Sequence, residues 1–217
     1  MTMKTLVTQC LRAAGIWHLV GILRRIPAIL RWLRGGCRGA APHAIKMVIV
    51  KSYLTGGSIN TFIETGTYLG DTLDHLSRDK GIRCMSIELS AVLYETACRR
   101  FAGRRNVRLF QGDSGQRLPE LLKEIDSPVL FWLDGHYSSG VTASANIHTP
   151  ISAELHAILN HSIKRHVILI DDARLFDGAN AYPHLDQLLQ EIRNNGRYSV
   201  EVSTDIIRLT PLAASCA

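Results

Sequence analysis

Three aspartates stand where apolar runs stop. Phe131-Trp132-Leu133 leads into Asp134, and Val167-Ile168-Leu169-Ile170 leads into the pair Asp171-Asp172. Carboxylates gathered at the ends of buried strands repel one another unless a proton or a cation stands among them. A hard divalent ion with oxygen ligands, magnesium above all, meets that need and can orient a substrate's hydroxyls. His136 comes two residues after Asp134. A neutral imidazole there is a competent base near neutral pH, and the alternative is a polar loop residue bonded to backbone. The hydroxyl-rich stretch Tyr137–Ser144 has the composition of a substrate-binding loop, and also of an ordinary surface loop.

A second set of residues lies upstream. Phe62-Ile63-Glu64-Thr65-Gly66-Thr67-Tyr68-Leu69-Gly70 reads as a strand, a glycine turn and the start of a helix. Gly66 lets the backbone approach a ligand, and Gly70 lets the following helix pack near the strand. The spacing is G-x-x-x-G, whereas a dinucleotide enzyme more often shows G-x-G-x-x-G. Glu88 ends the next apolar run, where a carboxylate can accept hydrogen bonds from both ribose hydroxyls. Gly112-Asp113-Ser114 follows the third. Each acid alone would read as a solvated loop residue. Three on successive strand ends, in this order, argue for a cofactor crevice.

These residues resemble a known family. Glu64 is similar to the first-motif acid of class I S-adenosylmethionine (SAM)-dependent methyltransferases, which lies near the methionine end of the cofactor. Asp113 falls where that family places an acid or polar group against the adenine amino group. Glu-x-Gly-x-x-x-Gly, Asp-Gly after the fourth strand and Ile-Asp-Asp after the fifth together resemble the macrocin O-methyltransferase group, over roughly residues 58–209. The resemblance implies methylation of a sugar hydroxyl, with Asp134, Asp171 and Asp172 as metal ligands and Asp134 also helping to take the acceptor's proton. That group commonly has Asp-Gly-Asp; here His136 holds the last place.

The elements that must position these residues follow from hydrophobic pattern. Short apolar runs predict strands at Thr61–Thr65, Cys84–Glu88, Val107–Phe110, Val129–Leu133 and Val167–Ile170. Helices are expected between them at 70–79, 91–102, 115–125, 150–162 and 183–195. Tyr198–Ser203 and Ile206–Leu209 are too close for a helical crossover and should pair as an antiparallel hairpin around Thr204-Asp205. The expected fold class is α/β: a doubly wound, mostly parallel sheet, the Rossmann-like methyltransferase variant, ending in an antiparallel hairpin and preceded by a helical extension. Residues 1–43 read as the extension and 44–217 as the catalytic domain.

Charge is uneven along the 217 residues. Of 25 Lys and Arg, nine precede Glu64 and 16 follow it, whereas all 19 Asp and Glu lie from Glu64 onward. The net charge of +6 thus reads as a property of the N-terminal quarter, where Lys46 is one of the nine. In Leu19–Leu33 an apolar set (Leu19, Ile22, Leu23, Ile26, Ile29, Leu30, Leu33) opposes Arg24, Arg25, Arg31 and Arg34, and Pro27 should break or kink the helix. This segment, residues 1–40, is expected to meet an anionic membrane surface, or else to cap the domain or mediate a homodimer. Its uncharged run Ala13–Leu23 is too short to span a bilayer, and Arg24-Arg25 stand where a signal peptide's small cleavage residues should be.

Five scattered cysteines without a C-x-x-C pair indicate neither disulfides nor zinc. Cys84 and Cys98 read as buried small hydrophobes, and a reducing cytoplasm, at the cytoplasmic membrane face, is the expected setting. Glu154 reads as a helix-start and charge-balancing acid. Arg174 is expected to bind an anionic substrate group or to neutralise the nearby acids. The function expected is SAM-dependent O-methylation of a small-molecule or lipid-linked glycan. The alternatives are a nucleic-acid methyltransferase, a non-catalytic SAM-binding module and, more weakly, a metal-dependent glycosyltransferase. An aromatic content of 6% leaves few platforms for stacking bases, which tells against nucleic acid.

Overall fold

The structure is a computed structural model that describes residues 17–134, 149–179 and 182–212, with side-chain environments from residue 26 onward. Two helices come first, α1 (Trp17–Arg34) and α2 (His43–Gly56). Then alternate β1 (Thr61–Thr65), α3 (Asp71–Leu76), β2 (Arg83–Glu88), α4 (Ala91–Phe101), β3 (Val107–Gln111), α5 (Ser114–Leu122), β4 (Leu130–Leu133), α6 (Ile151–Asn160) and β5 (Val167–Ile170). A 3-10 turn at Ala173–Leu175, helix α7 (Leu185–Asn195), β6 (Tyr198–Ser203) and β7 (Ile206–Pro211) close the chain.

The seven strands form one sheet in the order β3-β2-β1-β4-β5-β7-β6. All neighbours among β1–β5 are parallel, while β7 runs antiparallel to β5 and to β6. This is the expected α/β methyltransferase architecture. Thr204 and Asp205 both take positive φ, which matches the tight hairpin turn to the strands' own twist.

Side-chain alternation explains why the central strands read as unbroken apolar runs. Along β4, Leu130 and Trp132 pack on the side of Met47, Leu54, Leu73 and Phe101 from α2–α4. Phe131 and Leu133 pack on the other, against Leu118, Leu155 and Leu188 from α5–α7. A strand covered on both faces has no polar face to show.

Two expectations are corrected here. Helix α1 runs through Pro27 without a break, so of the break or kink expected there the break does not occur; the ring removes a single N–H from the ladder. The second concerns His43–Gly56, which the hydrophobic pattern did not mark as a helix. It is one, with Met47, Val50 and Leu54 buried against the sheet.

Candidate active site

Backbone hydrogen bonds carry each strand's end into its neighbour. Gly112 N donates to the Glu88 carbonyl at 2.9 Å, Gly66 N to Ile87 at 2.9 Å, Asp134 N to Thr65 at 3.2 Å and Asp171 N to Leu133 at 3.0 Å. With strands about 4.8 Å apart, Gly112, Glu88, Gly66, Asp134 and Asp171 form a row along the carboxyl edge. The sheet order turns back between β1 and β4, so Gly66 and Asp134 flank the switch point where α/β sheets bind ligands.

The left half of the row suits a nucleoside. Gly66 and Gly70 have φ of +84° and +77°, and a Cβ on Gly70 would stand 2.7 Å from the Phe101 ring. Glu88 takes the Tyr68 amide on Oε2 at 2.8 Å and the Ser90 amide on Oε1 at 2.9 Å. Each carboxylate oxygen has a second lone pair for an outside donor. Tyr68 and Leu89 remain 59% and 50% exposed beside it, an apolar margin that the acid-based reading overlooked although Leu89 directly follows Glu88. Asp113 occupies the N-cap position of α5 without a capping hydrogen bond from its side chain.

Glu64 lies beneath this surface, 2% exposed. Ser86 Oγ donates to Glu64 Oε2 at 2.9 Å, and since that proton is committed, Thr67 Oγ1 must donate to Ser86 Oγ across 2.7 Å. Burial pushes the Glu64 carboxyl up to about 8, with the Asp134 and Glu88 charges adding to the effect of burial and Ser86 and Thr72 opposing it. An ammonium placed beside it would favour its ionised form.

The right half gathers the aspartates. Asp134, Asp171 and Asp172 each offer an oxygen within 4.8 Å of the others. Asp171 and Asp172 are buried, and Asp172 has φ +56°, a left-handed conformation in which non-glycine residues are uncommon. Burial and the Asp134 charge raise Asp171 to about 6, against the lowering effect of Lys46. Three carboxylates at this spacing are a donor set suited to a hard divalent ion.

Lys46 is the residue that sequence reasoning missed. Counted with the N-terminal charges, it instead reaches from α2 into this cluster, where Nζ hydrogen-bonds Asp171 Oδ2 and stands 3.7 Å from Asp172 Oδ1. Burial works against its charge, but Asp171, Asp172 and Asp134 outweigh that and hold its pKa above the ordinary value. Arg174 takes the neutralising role, with Nη1 2.8 Å from Asp172 Oδ1 and a further ion pair to Asp205.

Glu154 stands in the first turn of α6, as expected, and is fully buried there. Burial lifts its pKa to about 7 against the Ser114 and Thr65 hydroxyls nearby, neither of which reaches it with hydrogen-bond geometry. It lines a cavity of about 10 Å³ with Asp134, Asp171, Phe176 and Tyr182, room for about one water. Cys84 is buried as expected, while Cys98 is only partly so. His136 and the loop Tyr137–Ser144 lie outside the described residues.

No protein-family model matches the chain, and no curated protein does. Among solved structures it is similar to the O-methyltransferase from Bacillus cereus in complex with SAH, at TM-score 0.59 and 14% identity over 86% of this chain and 90% of that one. It is also similar to TomG from Streptomyces achromogenes, an O-methyltransferase involved in tomaymycin synthesis and solved with SAM, at TM-score 0.56 and 16% identity over 81% and 82% of the two chains. The SAH-bound methyltransferase PaMTH1 from Podospora anserina matches at TM-score 0.56 and 14% identity over 84% and 86%. The fold is thus the class I SAM-dependent methyltransferase fold, and several of the solved structures similar to it are named as O-methyltransferases or putative ones.

Proposed function

We propose that the chain is a SAM-dependent O-methyltransferase acting on a hydroxyl of a sugar or glycoconjugate. One observation carries the reading: the row of strand ends sets a nucleoside-type margin (Gly66, Glu88, Asp113) directly beside a carboxylate cluster. The names of the structural neighbours support O-methyl transfer. The sugar acceptor is supported by the resemblance to the macrocin group in the Asp-Gly and Ile-Asp-Asp motifs.

SAM supplies a methyl group on a sulfonium that becomes neutral as the methyl passes to the acceptor oxygen. The protein must therefore align donor and acceptor and remove one proton. Glu88 and Asp113 are assigned to the adenosine, and Glu64 to the methionine end. Asp134, next to Gly66 in the row, is assigned the removal of the acceptor's proton. Asp134, Asp171 and Asp172 would hold a divalent ion, whose charge would lower the acceptor hydroxyl's pKa.

Residues 1–43 are proposed as an extension that rests on an anionic membrane face, and 44–217 as the catalytic domain. In α1, Ile26, Leu30 and Leu33 are exposed on the same helix as the exposed Arg31 and Arg34. Among the described residues no helix is long and apolar enough to cross a membrane. The test is to incubate the protein with methyl-labelled SAM and separate lipid-glycan, protein and nucleic-acid fractions. Label in the glycan fraction is expected. Label in nucleic acid alone would overturn the acceptor assignment, and no transfer to any fraction would remove the enzymatic reading.

A further inference from the structure

The aspartate cluster already contains a positive charge. Lys46 Nζ is hydrogen-bonded to Asp171 and 3.7 Å from Asp172, so it addresses two of the three carboxylates that would hold a divalent ion. We infer that Lys46 is the resident cation of this cluster, and that its ammonium and a divalent metal ion are alternative occupants. The inference rests on the metal part of the proposed function.

An ion shared by Asp171 and Asp172 has to approach oxygens that the ammonium also faces. Two positive charges that close, in a buried setting, repel strongly. Asp171 Oδ2 cannot serve both partners at full strength. The ammonium can nonetheless leave without disturbing the fold. Helix α2 is fixed by Met47, Val50 and Leu54 in the core, whereas the lysine head sits on a flexible four-carbon stem. Arg174 stays in place through Asp205, so Asp172 keeps one cationic neighbour whichever occupant is present.

The arrangement has a purpose a bare cluster would lack. Without metal, the carboxylates stay gathered because Lys46, with Arg174 on Asp172, offsets their repulsion. With metal, the ion must displace an intramolecular competitor, which weakens its apparent affinity and makes the site selective for ions that gain most from three carboxylates. Lys46 is thus a positioning residue, distinct from the groups that would touch the acceptor.

The experiment measures Mn²⁺ binding by electron paramagnetic resonance, with SAH affinity by calorimetry, on the full chain. Wild type is compared with Lys46→Met, Lys46→Gln and Lys46→Met/Asp171→Asn. Lys46→Gln retains hydrogen-bonding capacity and guards against a folding defect in the Met variant. The expected result is Mn²⁺ affinity at least about tenfold higher in both single variants, lost again in the double variant, with SAH affinity unchanged. Equal Mn²⁺ affinity in wild type and both single variants, or no binding to any of them, would overturn the inference. Intact SAH binding in that case leaves the methyltransferase reading standing, whereas failure of wild type to bind SAH would count against that reading alone.

Discussion

Glu88 does two jobs with one carboxylate. Its oxygens anchor the Tyr68 and Ser90 amides, which holds the glycine turn against β2, and their outer lone pairs face the crevice. Removing it should therefore cost more than a ribose contact. Glu88→Ala is expected to weaken SAH binding by about 1–3 kcal/mol, the range for hydrogen bonds to a charged group. Gly66→Val should do worse, because φ of +84° is a genuine outlier for a β-branched residue. Calorimetry on both variants, with circular dichroism to check the fold, tests this. Unchanged affinity in the two would mean that the cofactor does not lie along this edge.

Residue-level legibility divided along a physical line. Glu64, Glu88, Asp113, Asp134, Asp171 and Asp172 could be placed because each follows an apolar run, and the parallel fold sends all such ends to one edge. Lys46 and Glu154 could not. Lys46 sits within a helix more than a hundred positions from Asp171, and nothing local marks its direction. Glu154 lies in the first turn of α6, with the sequence of an ordinary helix start, and only tertiary packing shows that it is fully buried near Thr65 and Ser114.

At the scale of elements, strands were more legible than helices. Thr61–Thr65, Val167–Ile170 and Tyr198–Ser203 have the expected limits, since a strand ends where its apolar run or its turn residues dictate. The helix expected at 70–79 spans only Asp71–Leu76; Gly70 enters it with φ +77°, and Ser77 Oγ turns back to the Leu73 carbonyl at 2.5 Å. Helix α2 was missed because its sequence, HAIKMVIVKSYLTG, is apolar on most sides and rich in β-branched residues.

Helix α1 makes its own prediction. Exposed Ile26, Leu30 and Leu33 share it with exposed arginines, and basic residues at an anionic leaflet contribute about 1 kcal/mol each. Deleting residues 1–40 should abolish binding to anionic vesicles and leave SAH affinity intact, because α2 and its core contacts remain. Added salt should weaken vesicle binding, as exposed charges are screened over about 8–10 Å. Full-length protein that ignores anionic vesicles at low salt would sink the membrane proposal. A deletion that dissociates a dimer would make α1 a packing element.

For the whole molecule, buried ionisable groups set a pH optimum of stability on the acid side of neutrality. Glu64 and Glu154 are raised to about 8 and about 7. Below the unfolded-state value both are protonated in either state and cost nothing. As pH rises from about 4.5 through 7–8 the unfolded chain gains by ionising them while the native state cannot, so stability falls. His166 acts in the opposite direction. It is fully buried, accepts from the Val129 amide on Nδ1 at 3.1 Å, and its Nε2 lies 2.9 Å from His161 Nδ1. With Nδ1 an acceptor, neutral His166 carries its proton on Nε2 and donates it to His161. Burial, then the His161 and Lys164 charges, lower its pKa to about 4, so stability is lost as pH falls from about 6.5 towards 4. Two acids against one histidine make the falling limb win from about pH 4.5 upward, so these three groups together put the maximum at about pH 4. Glu154→Gln tests the alkaline limb, because the amide keeps the shape but cannot ionise. The variant is expected to melt close to wild type at pH 5 and above it at pH 8, by up to about 3 kcal/mol if the full shift is expressed. The comparison is made by thermal melts at both pH values without cofactor. A difference that is the same at pH 5 and pH 8 would show that Glu154 is not the neutral buried acid its surroundings require.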